Sequence, residues 1–283
     1  MRPPIILVAI VTLLGSSPMP VLARDPDGRV GSLTEPPMSS LTELDARLRG
    51  AEADAVARLA EAMASRGTPD AAARLAAFVR AGQPDAATDA VLLALQKHPI
   101  LAALPLLRDV TWHRRAAARR LAFGALAELE DAAVNPLLAR GLRDSDPGVR
   151  GVSARALGRR GARDQLDVLF LAMSRGVPEA AAAIGRIGNA EAVARYHDYL
   201  GKLPIGVMLS GYERFLTRDD LSEDTRIEIV GRLGEVAGLT VKHFLERMLA
   251  TAKWPRGSRL PHALRETAKR IDDRPGRVGE RLR

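Results

Sequence analysis

The feature that most constrains this 283-residue chain is an internal period of 31 residues. Leu95, Leu126 and Leu157 recur at that spacing, preceded by Ala94, Ala125 and Ala156. Leu107, Leu138 and Leu169 keep the same step, preceded by Leu106, Leu137 and Val168. Pro105 matches Pro136, and Ala102 matches Ala133. One offset that aligns apolar positions in both halves of the unit calls for a stack of similar supersecondary modules, each burying its apolar face on the next.

Each unit divides into two helices. In Gly148 to Arg160, Val149, Val152, Ala156 and Leu157 recur at three- and four-residue steps, and in Asp164 to Ser174, Leu166, Leu169, Phe170 and Met173 do the same. Both patterns are amphipathic helices with one core-facing stripe. The short Gly161-Ala162-Arg163 turn makes the two helices antiparallel neighbours. Asp144-Ser145-Asp146-Pro147 supplies capping residues ahead of a Pro suited to a first helical turn. Gly67-Thr68-Pro69-Asp70, Gly82-Gln83-Pro84-Asp85 and Gly176-Val177-Pro178-Glu179 punctuate the chain in the same way. Only 4% of residues are aromatic, and Ala and Leu dominate the apolar content, so helices packed through small side chains are favoured over sheets. The expected fold is all-α: a right-handed α-solenoid, or superhelix, of antiparallel helix pairs.

The run Asp146-Pro147-Gly148-Val149-Arg150, followed by Ala154, Ala156, Leu157 and Gly158, resembles the HEAT-like (armadillo-type) repeat, in the short form named after phycobilin lyases. Weaker echoes lie at Ala181 to Gly188 and at Thr225 to Gly234, the latter followed by a second helix with Val241, Phe244, Leu245, Met248 and Leu249. The resemblance implies structural roles for Asp146, Arg150, Leu157 and Gly158, the Asp capping its helix and the Arg bonding neighbouring turns. Tetratricopeptide and ankyrin signatures are absent. Ile184-Gly185 follows Leu157-Gly158 by 27 residues rather than 31, which marks a shortened unit.

Residues 41–271 form the expected solenoid, clearest over 85–202 and 222–250, with Pro204 to Asp220 as a less periodic insert. Residues 272–283 are expected to be a basic disordered tail and 24–40 a Pro- and Gly-containing flexible linker. The N-terminus has three parts: Met1-Arg2, an apolar stretch from Ile5 to Leu14, and Val21-Leu22-Ala23 with small residues at the −3 and −1 positions. That pattern resembles a secretory signal peptide over 1–23, expected to be cleaved after Ala23, with an uncleaved anchor or a buried first helix as the alternative. Its apolar run is about ten residues against the roughly 20 that a bilayer requires. The expected address is therefore the periplasm or the medium, with no stable membrane span after cleavage.

No catalytic, cofactor or metal site is expected. The chain has no Cys, its five His form no i, i+4 pair, and it carries neither a nucleophile elbow nor a phosphate loop. The formal net charge is +8, but only Lys97, Lys202, Lys242, Lys253 and Lys269 are Lys among the 42 basic residues, a skew that reflects coding bias as much as function. Candidate partner-binding residues are Tyr196, His197 and Tyr199, an aromatic cluster in an aromatic-poor chain, with Tyr packing into the shortened unit as the equal alternative. Arg140, Arg143, Arg175, Arg195 and Lys202, on or just after second helices, could form a basic groove, since second helices are expected to line the inner face, with ordinary solvated surface positions as the favoured alternative. The expected function is a non-enzymatic scaffold for another protein. Nucleic-acid binding through a basic groove is the first alternative, disfavoured by export, and a phycobilin-lyase-like or chaperone-like factor is the second.

Overall fold

Local signals in the sequence place most of the helix ends. The computed structural model describes residues 40–236 and 238–272, which fall almost entirely in one compact unit beginning at Leu41. The predicted signal peptide, linker and most of the tail lie outside the described residues. Among the described residues fifteen α-helices follow one another: α1 (Leu41–Arg49), α2 (Ala53–Ala64), α3 (Pro69–Arg80), α4 (Asp85–Lys97), α5 (Leu104–Val110), α6 (Ala116–Ala127), α7 (Val134–Gly141) and α8 (Pro147–Arg159). After these come α9 (Leu166–Ser174), α10 (Pro178–Ile187), α11 (Ala190–His197), α12 (Ile205–Leu216), α13 (Glu223–Val236), α14 (Leu239–Thr251) and α15 (Leu260–Asp272). No strand occurs among the described residues beyond an isolated bridge between Leu200 and Leu203. The fold is an α-solenoid.

Caps and turns act where the sequence puts them. Thr68 accepts the Ala71 amide at 3.2 Å and Asp146 accepts the Val149 amide at 2.9 Å, while Pro69, Pro147 and Pro178 occupy first turns. Gly161 (φ 67°) and Gly176 (φ 80°) end their helices in the left-handed region, which a residue with a Cβ enters only at a cost. Arg150 donates to the carbonyls of Asp144 and Ser145, both at 2.9 Å, closing the turn that opens its own helix. Arg119, 31 residues earlier, makes the corresponding bonds to His113 and Arg114. The period is thus a repeat of side-chain chemistry as well as of apolar positions.

The helices form two layers. First helices α2, α4, α6, α8, α10 and α12 pack each on the next, and second helices lie behind them. Small residues allow this approach. A Cβ on Gly158 would sit 2.9 Å from the Ala183 Cα, and one on Gly185 would sit 2.2 Å from the Gly211 carbonyl oxygen. α8, α10 and α12 therefore meet backbone to backbone, which explains the Ala-Leu-Gly signature physically. A single apolar core runs between the layers, and all five Phe of the chain are buried in it.

Two features differ from the sequence reading. The stretch Pro204 to Asp220 holds α12, which takes the next place in the first-helix layer and is no insert. Met208, Tyr212, Phe215 and Leu216 recur at steps of four, three and one and form a single buried stripe, so the segment is an ordinary amphipathic helix. The following α13, read from sequence as a first helix, packs beside α11, in the second layer. Close approach then passes to α13 and α15, where a Cβ on Gly234 would meet the Thr267 side chain at 2.6 Å.

Candidate partner-binding face

The aromatic cluster proposed from sequence proves to be mainly core. Tyr196, on the inward side of α11, is fully buried, and its hydroxyl donates to the Met208 carbonyl at 2.9 Å. Its ring lies edge-on to Tyr212 at 4.9 Å and to Phe215 at 5.5 Å. Gly211 makes the room, since a Cβ there would sit 2.3 Å from the Tyr196 hydroxyl. Tyr196 is therefore not a surface contact; it fills space between α11 and α12, beside an α10 of 10 residues against 13 for α8. His197 is half-buried, stacks on Tyr212, and shares a 3.0 Å hydrogen bond with its hydroxyl through Nδ1. Burial pushes the His197 pKa below its usual value, and burial raises both Tyr196 and Tyr212. Tyr199 is half-buried and stacks on Phe170 at 5.9 Å.

The basic residues proposed with it lie along the second-helix layer and are only partly free. Arg140 places its guanidinium 4.2 Å over the Trp112 ring and donates to the Thr111 hydroxyl. Burial, and then repulsion from Arg108, lower its pKa. Arg195 lies 4.2 Å over the Phe170 ring and pairs with Asp167. Each braces its own unit against the one before, whereas Arg80 reaches forward to the next unit by pairing with Asp109 at 3.0 Å. Arg143, Arg175 and Lys202 are exposed.

Clefts lie on the first helices, a face that the sequence reading did not single out. Three clefts of about 890, 460 and 220 Å³ follow one another along this face. Gln96 lines the first two, and Arg155 and Arg159 line the second and third, so the three clefts adjoin in a row from α2 to α12. The reason is geometric. Close packing through Gly and Ala leaves low floors between first helices, and longer side chains at other positions stand up as rims.

Charge is unevenly distributed along the groove. The α2–α4 end carries Glu61, Asp89 and Glu128 against Lys97, around Ala57, Ala86, Ala90 and a 52% exposed Leu93. Lys97, Glu61's nearest partner, holds the Glu61 carboxyl below its ordinary range. The α8–α12 end carries Arg155, Arg159, Arg186 and Arg214 against Glu179. Arg155 pairs with Glu179 at 2.9 Å and Arg159 reaches Glu128 at 3.0 Å, whereas Arg186 and Arg214 have no hydrogen-bond or ion-pair partner among the described residues. No part of the sequence reading identified Arg186 and Arg214. The available signal was Gly185 and Gly211 within apolar helices, which marks a close helix contact beside which such side chains emerge. Among the described residues no three His, Asp or Glu side chains gather as around a metal ion, and no helix is long and apolar enough to cross a membrane.

Residues 100–176, from just before α5 to the end of α9, match the family model for HEAT repeats. No curated protein matches the chain in sequence. A solved structure that aligns with it is that of human deoxyhypusine hydroxylase in complex with glycerol, 17% identical over 81% of this chain and 98% of that one, with a TM-score of 0.29.

Proposed function

We propose that this chain, whose residues 100–176 match HEAT repeats, is a non-enzymatic scaffold, exported to the periplasm or cell envelope, that binds another protein along its first-helix groove. The observation that carries this reading is the row of adjoining clefts across α2 to α12, with Leu93 exposed among the lining residues of the first. An interface core needs apolar contact surrounded by polar groups, and the α2–α4 end supplies both. The mixed sign of the groove argues against duplex nucleic acid, whose phosphates favour a continuous positive track. Export is inferred from the three-part N-terminus.

Photo-crosslinking in cells tests the binding reading. A photoreactive residue at Leu93 or Ala182 should capture one defined protein, and the same group at Leu171, exposed on second helix α9, should not. Equal capture at all three positions, or none, would remove the scaffold claim. Fractionation and N-terminal sequencing test the address: the mature chain should begin at Arg24 outside the cytoplasm. Full-length cytoplasmic protein would overturn export.

A further inference from the structure

We propose that the α8–α12 end of the groove receives a carboxylate-bearing polypeptide segment, held by Arg186 and Arg214 and flanked by Arg155 and Arg159. This inference rests on the scaffold reading and names the chemistry of the partner. The floor here is formed by Gly158, Ala182 and Ala183 in a cleft of about 220 Å³. Because α8 approaches α10 through Gly158 and Ala183, and α10 approaches α12 through Gly185 and Gly211, no bulky side chain fills the floor. A partner's main chain can lie low between the arginines.

Charge selects the segment. Four guanidinium groups line the cleft against one carboxylate, and Arg155 and Arg159 already have intramolecular partners. Arg186 and Arg214, both exposed, are left as two uncompensated positive charges across the α10–α12 contact. Like charges in one cleft repel until an anion arrives, and a guanidinium matches a carboxylate in a two-point fork. The opposite end of the same groove is acidic and apolar, which a polypeptide with a varied sequence can satisfy and a uniform polyanion cannot. With first helices about 9 Å apart, α4 to α12 spans roughly 36 Å, or about eleven extended residues. The acidic stretch would thus lie about ten residues from an apolar residue seated at Leu93.

The test uses the purified mature protein and a fluorescein-labelled twelve-residue peptide of alternating Glu and Ala, read by anisotropy at low salt. The Glu peptide should bind, and its Gln counterpart should bind at least about tenfold more weakly. R186A/R214A should weaken the Glu peptide about tenfold, R186K/R214K less, and R143A/R175A not at all. Thermal melts of the double variants should match the parent, because none of the four arginines has a partner to lose. Equal binding of Glu and Gln peptides, or equal loss in the two alanine double variants, would overturn the proposal. So would tighter binding of duplex DNA with the same dependence on Arg186 and Arg214. If the peptide fails while crosslinks at Leu93 and Ala182 persist, the scaffold reading stands and the acidic-segment assignment falls; loss of both crosslinks removes the scaffold itself.

Discussion

Arg119 holds Asp144 through both arms of its guanidinium, Nη2 donating to Oδ1 at 2.7 Å and Nε to Oδ2 at 2.8 Å, and so ties α6 to the turn that opens α8. The two side chains are only 13% and 12% exposed. Asp144 Oδ1 also accepts the Asp146 amide at 2.8 Å, which orders the turn whose next carboxylate caps α8. A pair 25 residues apart in sequence therefore sets the register of one unit on the next.

Arg119→Ala and Asp144→Ala should each cost about 2 kcal/mol, because either change strands a largely buried charge. The double variant should cost much less than the sum, as urea denaturation of the four proteins in a mutant cycle would show. Burial raises the Asp144 carboxyl, but the Arg119 bonds and the Asp146 amide more than offset it, and the net pKa is lowered. A depressed acid stabilises the fold above its unfolded pKa of about 3.9 and loses that contribution as pH falls through the lower folded value. Asp144→Asn should lack this part of the acid transition.

Gly185 and Gly231, both inside helices, differ in what a methyl group would meet. Gly185→Ala would drive a Cβ onto the Gly211 carbonyl oxygen at 2.2 Å, and should destabilise by about 1–3 kcal/mol as α10 and α12 are forced apart. Gly231, exposed in the middle of α13, has nothing within 4 Å of that position. Gly231→Ala should stabilise by about 0.5–1 kcal/mol through helix propensity. Thermal melts of the two variants should move in opposite directions.

Tyr196→Phe should cost about 1 kcal/mol through loss of the bond to Met208, and Tyr196→Ala about 3–5 kcal/mol through the cavity it opens. Tyr196→Phe should leave crosslinking at Leu93 unchanged, since the ring faces the core. A change in partner capture without a change in stability would return Tyr196 to the binding surface.

His197 should make stability fall on mild acidification. Burial, with a smaller contribution from Arg232, lowers its pKa, against the opposing pull of Glu228, Asp198 and Glu235. A folded pKa below the unfolded value of about 6.5 means that stability is intact above that pH and declines below it, as the buried ring resists the proton that the unfolded chain accepts. Melts of the parent at pH 7.5 and 5.5 should differ by more than those of His197→Gln. Equal differences would show that the ring titrates without linkage to folding.

The sequence alone determined the regular helices from α4 to α11 and most of their boundaries, because these depend on contacts three or four residues apart, but it missed the place of α12 and α13 in the stack. The stripe in α8, the Asp146 cap and the left-handed Gly161 are all settled within one turn of chain. It also located the close-packed layer implicitly, in the Gly158 of the Ala-Leu-Gly run. Tertiary structure decided which face stays open and which side chains are free. Tyr196 is core because α12 lies beneath it and Gly211 leaves room for its hydroxyl. Arg140 and Arg195 are engaged because the preceding unit presents Trp112, Asp167 and Phe170 to them, 28 or fewer residues upstream. Arg186 and Arg214 stand side by side only because two glycines let α10 and α12 touch, and α12 carries no repeat signature of its own. Local periodicity encodes the unit, whereas the face a unit shows to solvent depends on its neighbours' packing, which no single turn of sequence contains.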